Sequence, residues 1–231
     1  MRAGPPSQLD EPAPAGEGSL PAVRAALADP FVTPETIERL AGQPQLLALY
    51  EVRRELARHP RSPQHLALRL VPGLHWRDLA DLALDTRLHP RVRREADLCL
   101  GQRLGALSVG EKISLARRAS PTLVGQLRAD PSPRVIAALL ENPRLTEGLL
   151  APLAHSDTAQ PAVLDLLAGD RRWGLRYDLK LALARNPRTR LPTALRLLAE
   201  LRKIDLRAVA ADPRLAAPLR HRARLLLGDL P

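Results

Sequence analysis

The stretch from Tyr50 to Gly101 is written a second time, from Tyr177 to Gly228, at a constant offset of 127 residues and without a gap. Between Leu56 and Leu100, 20 of 45 aligned positions are identical, and the only two tyrosines of the chain fall on each other. Abundant Leu, Ala and Arg do not produce that level of self-match by composition. A chain that duplicates one supersecondary unit cannot bury the apolar face of each unit alone, so the copies have to stack.

The punctuation of the text predicts short helices. Thr33-Pro34, Ser62-Pro63, Ser120-Pro121 and Ser132-Pro133 each set a hydroxyl before a proline. The hydroxyl caps free backbone N–H groups at a helix start, and proline in the first turn gives up an N–H that has no partner anyway. Ser108 and Glu111 have the spacing of a capping box. Asp29-Pro30, His59-Pro60, Asn142-Pro143 and Asn186-Pro187 follow apolar helical runs and read as stops, because the residue before proline is pushed out of helical geometry. Apolar residues recur at helical spacing: Leu175, Leu179, Ala182 and Leu183 on one face, Leu215, Leu219, Ala223 and Leu226 on another. Nothing alternates with period two. The expectation is an all-α chain of about fourteen or fifteen short helices, each marginal alone and dependent on its neighbours.

Composition narrows this further. Of 231 residues, 45% are hydrophobic but only 2% aromatic, so the core must be Leu, Ala and Val. Residues 1 to 18 hold Pro5, Pro6, Pro12 and Pro14 with little to bury. They read as a disordered tail, with a single α-helical repeat domain over 19–231. The N-terminus has no apolar run and reads as lacking a signal peptide, and no stretch approaches the length of a membrane span. With one cysteine, no internal disulfide forms, and the expected location is the cytoplasm.

The offset of 127 is three units of roughly 42 residues, the length of a HEAT-type helical repeat. Asp130-Pro131-Ser132-Pro133-Arg134-Val135 opens one degenerate unit, and Leu139 to Thr146 echoes Leu183 to Thr189. The Asp-Pro-x-Pro-Arg-Val opening and the Asn-Pro helix ends resemble bacterial HEAT-like repeats and the leucine-rich repeat variant, over about Leu20 to Leu227. The resemblance implies a right-handed α-solenoid that serves as a binding scaffold. Some proteins with such repeats hold an iron–sulfur cluster on a cysteine motif. Cys99 stands alone here, so no cofactor is implied.

Candidate chemistry is sparse. Six histidines include no pair at i, i+4, so they read as solvent-facing or capping residues and no metal site is expected. Cys99 aligns with Leu226 and reads as a small core residue. HEAT-like DNA glycosylases use tryptophans and an aspartate in a groove, which draws attention to Trp76, Asp78 and Trp173. Asp78, however, recurs as Asp205, and so reads as a residue of the repeated frame, such as a helix cap.

The strongest functional signal is charge. The formal net charge is +10, and from Arg171 to the end there are fifteen Lys/Arg against five Asp/Glu, so the whole excess lies in the last quarter. Arg172, Arg176 and Lys180 fall at i, i+4, i+8 and predict a basic stripe on one helix, where the first copy has Gln45, Leu49 and Arg53. Lys203 with Arg207, and Arg220 with Arg224, add two further pairs. A clustered basic surface attracts an anionic partner: an acidic protein, a nucleic-acid backbone or anionic lipid. Scarce aromatics disfavour single strands, which need stacking platforms. The expected function is a non-enzymatic adaptor for a protein partner. Duplex nucleic-acid binding through the basic quarter is the alternative, and a HEAT-like DNA glycosylase the remote one.

Overall fold

The structure, a computed structural model, describes residues 19–228, and the tail expected over residues 1 to 18 lies outside them. Every regular element among the described residues is helical. The chain divides into two compact units, one ending at Ala96 and the other beginning at Asp97. The first holds α1 (Leu20–Ala28), α2 (Pro34–Ala41), α3 (Pro44–Ala48), α4 (Tyr50–Arg58), α5 (Gln64–Leu70) and α6 (Trp76–Leu84). Helix α7 (Pro90–Arg103) runs through the boundary. The second unit holds α8 (Val109–Ala116), α9 (Pro121–Leu127), α10 (Pro133–Leu140), α11 (Glu147–Ala154), α12 (Pro161–Gly169), α13 (Tyr177–Ala184), α14 (Leu191–Leu198), α15 (Lys203–Ala211) and α16 (Ala217–Leu227).

In the first unit α4 packs on α1, α3 and α5, around Val23, Leu46, Val52, Leu56 and Leu66. In the second unit consecutive helices pair, most closely α15 with α16 and α13 with α14, and helices two apart also pack together. Helix α10 lies against α8 and α12, and α14 against α16, whereas α11 lies against α9 and α13. The core between them is aliphatic, with Leu115, Val124, Ile136, Leu150, Leu164, Leu183 and Val209 buried, as the low aromatic content requires. Trp173 is the exception in size. It is 2% exposed, and its indole N–H donates to the Leu140 carbonyl at 3.2 Å. Gly174 follows it because a Cβ there would stand 2.7 Å from the carbonyl oxygens of Ala168 and Asp170.

The two copies carry four helices each in the same order, α4 to α7 and α13 to α16. One short 3₁₀ turn, Val71–Gly73, is added in the first. Cys99 is buried, as its alignment with a leucine suggests. Leu179, Ala182 and Leu183 are buried as expected, but Leu175 is not part of their face. It lies in the turn before α13 and is 71% exposed, because the helix starts only at Tyr177.

Half of the hydroxyl–proline starts behave as the sequence predicts. Thr33 accepts the Thr36 N–H and Ser120 the Leu123 N–H, each at 3.3 Å, and Ser108 forms a complete capping box with Glu111. Ser132 takes the cap position of α10 without a side-chain bond, its own N–H turned to Asp130. Ser62 sits one residue too early, since α5 starts at Gln64.

The stops do more than end helices. After each one, the side chain of Asp29, His59, Asp85, Asp130, Asn142, Asp170, Asn186 or Asp212 accepts the backbone N–H two residues on. This local turn replaces the helical bond that the chain gives up there. Asparagine has a second capacity that aspartate lacks, because its amide also donates. Asn142 donates to the carbonyls of Ala116 and Ala119 at 2.7 and 3.0 Å, at the end of α8. Asn186 does the same to Ala154 and Ser156, at the end of α11, again at 2.7 and 3.0 Å. Each thus satisfies carbonyls left open at the end of a neighbouring helix. His59, which aligns with Asn186, faces the carbonyl of Leu27, which aligns with Ala154.

Candidate interaction surface

Two phenols organise the ends of the duplicated helices. The Tyr177 hydroxyl donates to the Asp205 carboxylate at 2.5 Å and accepts the Arg202 backbone N–H at 2.9 Å. Tyr50 makes the same pair of bonds, to the Asp78 carboxylate and from the His75 N–H at 2.9 Å. His75 and Arg202 are the cap residues of α6 and α15, and Asp78 and Asp205 lie three positions on. In an ordinary capping box that acid takes the cap residue's N–H directly. Here a tyrosine from a different helix is inserted between them. The aspartate at this position is therefore not the cap itself, as the sequence suggested, but the anchor of a relayed cap. Burial and the neighbouring Asp78 carboxylate raise the Tyr50 pKa.

The basic residues named from sequence do not form one stripe. Helix α13 starts at Tyr177, so Arg172 lies in the preceding turn, Arg176 is the cap residue, and only Lys180 is on the helix. The run of i, i+4, i+8 breaks because Asp170 takes the N–H groups of Arg172 and Trp173 and folds that segment as a turn. Two of the seven residues are engaged by neighbouring groups of the fold and a third is half-buried. The Arg172 guanidinium stacks 4.2 Å over the Trp173 ring and donates to the Leu145 carbonyl, Lys180 pairs with Glu200, and Arg220 is half-buried on α16.

The other four are exposed and gather in two places. Arg207 of α15 and Arg224 of α16 line a depression of about 320 Å³ together with Ala210, Ala211 and Leu227. The first copy has Ala80 and Asp97 at the arginine positions. Asp97 accepts the Ser120 hydroxyl at 2.7 Å, and its burial raises its pKa. A structural acid in one copy is thus an outward base in the other. Arg176 and Lys203 stand at the starts of α13 and α15, which the Tyr177 relay ties together. Sequence reasoning missed the residue between them. The Arg202 guanidinium lies 4.5 Å over the Tyr177 ring, and its signal was its position beside Lys203 and opposite His75.

The remaining candidates are structural. Trp173 is in the core, and Asp78 and Asp205 are engaged by tyrosines. Among the described residues no group of three or more His, Cys, Asp or Glu is placed to hold a metal ion, and no helix is long and apolar enough to cross a membrane. No family model, curated protein or solved structure matches this chain.

Proposed function

We propose that this protein is a non-enzymatic scaffold, a right-handed α-solenoid of HEAT-like units, that binds an acidic protein partner through the Arg207–Arg224 depression. One observation carries the reading. Between the two copies the side chains that make the frame are kept: Tyr50 and Tyr177, Asp78 and Asp205, Asp85 and Asp212, Arg87 and Arg214. Two positions on that frame are exchanged and turned outward, the buried Ala80 becoming the exposed Arg207 and the half-buried Asp97 the exposed Arg224. A frame held constant under a changed surface suits recognition, for which stacked units offer a long face. Two guanidiniums in an aliphatic-floored depression suit carboxylates, which they can grip in a planar fork.

Capture from an extract of the native host, with and without nuclease, tests this with wild-type protein and an Arg207→Glu/Arg224→Glu variant. The expected result is a protein retained by the wild type, indifferent to nuclease and lost from the variant. Retention that disappears with nuclease would assign the surface to duplex nucleic acid, whose binding should also fall steeply with salt. Equal retention by the variant would remove these arginines from the contact.

A further inference from the structure

We propose that the edge of the second unit formed by the starts of α13 and α15 is a membrane-contact surface for anionic lipid bilayers. The Tyr177 relay pins these two helix starts side by side. Leu175, two residues before Tyr177, and Ile204, two residues after Arg202, are each 71% exposed, exceeded among the large apolar side chains of the described residues by Phe31. Both therefore protrude, which suits insertion among acyl chains better than a fit into a partner's flat face.

Three exposed cations, Arg176, Arg202 and Lys203, stand among them. The acids beside them are Asp178, exposed in the first turn of α13, Asp205, which accepts from the neutral Tyr177 hydroxyl, and Glu200, which pairs with Lys180, so that with Lys180 counted four cations stand against three acids. The edge is thus locally cationic with aliphatic tips. That combination binds the surface of an anionic bilayer, where each basic residue contributes through the surface potential and apolar side chains add burial. An acidic protein would use the cations but leave Leu175 and Ile204 in water. The corresponding edge of the first copy also carries amphipathic residues, with Leu49 40% exposed and the Arg77 guanidinium 5.3 Å over the Trp76 ring. Such residues favour an interface that is apolar on one side and wet on the other.

Co-sedimentation with phosphatidylcholine vesicles, with and without phosphatidylserine, tests the assignment at low and physiological salt. The wild type should bind only the serine-containing vesicles. Arg176→Gln, Arg202→Gln and Lys203→Gln should each weaken binding about fivefold, and Leu175→Ser/Ile204→Ser should weaken it about tenfold. Circular dichroism shows whether each variant is folded. A polarity-sensitive dye on Leu175→Cys gives a readout that needs no loss of binding, since the sole native cysteine, Cys99, is buried. Its emission should shift to the blue on serine-containing vesicles. Absence of wild-type binding at low salt, binding with no dye shift, or an equal response to polyglutamate would each overturn the membrane assignment. The protein-binding depression uses other arginines, so these variants should retain the partner captured by the wild type.

Discussion

His59 and Asn186 hold the same place in the two copies, and only one of them titrates near neutrality. Both accept an N–H two residues on and face a carbonyl at the end of a neighbouring helix. Burial, followed by the charge of Arg61, depresses the His59 pKa below its ordinary 6.5, against the pull of the Leu27 carbonyl. The folded state therefore prefers the neutral ring. The stabilisation is present above about pH 6.5 and is lost as pH falls, because the unfolded chain takes up the proton first. His59→Asn should keep both bonds and remove this acid sensitivity. Melting temperatures between about pH 5 and 8 should fall more gently on the acid side for the variant than for the wild type, and parallel curves would show that the ring is not engaged as described. The stop itself was legible as an apolar run ending in His-Pro or Asn-Pro. The bond across to the next helix was not, since an asparagine in sequence carries no sign of which distant carbonyls its amide will meet.

At the scale of elements, α6 and α15 owe their starts to tyrosines on other helices. Removing the Tyr50 hydroxyl leaves Asp78 without its donor and the His75 N–H without its acceptor. Tyr50→Phe should cost about 1–2 kcal/mol, the range for a lost cap and an unsatisfied pair at a part-buried site. The same phenol adds an alkaline limit. Its pKa is raised above 10.0 by burial and by Asp78, so its contribution is full below that value and is lost as pH rises through the folded pKa. Melting curves from about pH 8 to 11 should show a steeper alkaline decline for the wild type than for Tyr50→Phe. If the variant melts with the wild type at pH 8, the relay does not stabilise α6. Helix existence was readable from apolar spacing and caps, and Tyr50 and Tyr177 were visible as matched positions. The basic stripe failed because helical spacing was extended through residues 171–176, where Asp170 organises a turn instead. Periodicity alone does not reveal that a short acid has taken the N–H groups a helix needs.

For the whole molecule, the duplication separates the bonds that both copies share from the exposed charges that only the second copy carries. The offset of 127 predicted matched helix order, and the matched bonds of Tyr50 and Tyr177, of Asp85 and Asp212, and of His59 and Asn186 follow it. The gathering of Arg207 with Arg224, and of Arg176 with Arg202 and Lys203, could not be read from sequence. Those groups depend on which helices lie side by side and on which cations are consumed inside the fold. The most direct test gives these two positions of the second copy the residues of the first, as Arg207→Ala/Arg224→Asp, and measures capture of the proposed partner from nuclease-treated host extract, with a melting curve as control. Unchanged melting with the partner lost is the result expected of a common frame under an exchanged surface. A partner retained at wild-type level, or a fall in melting temperature of many degrees, would contradict it.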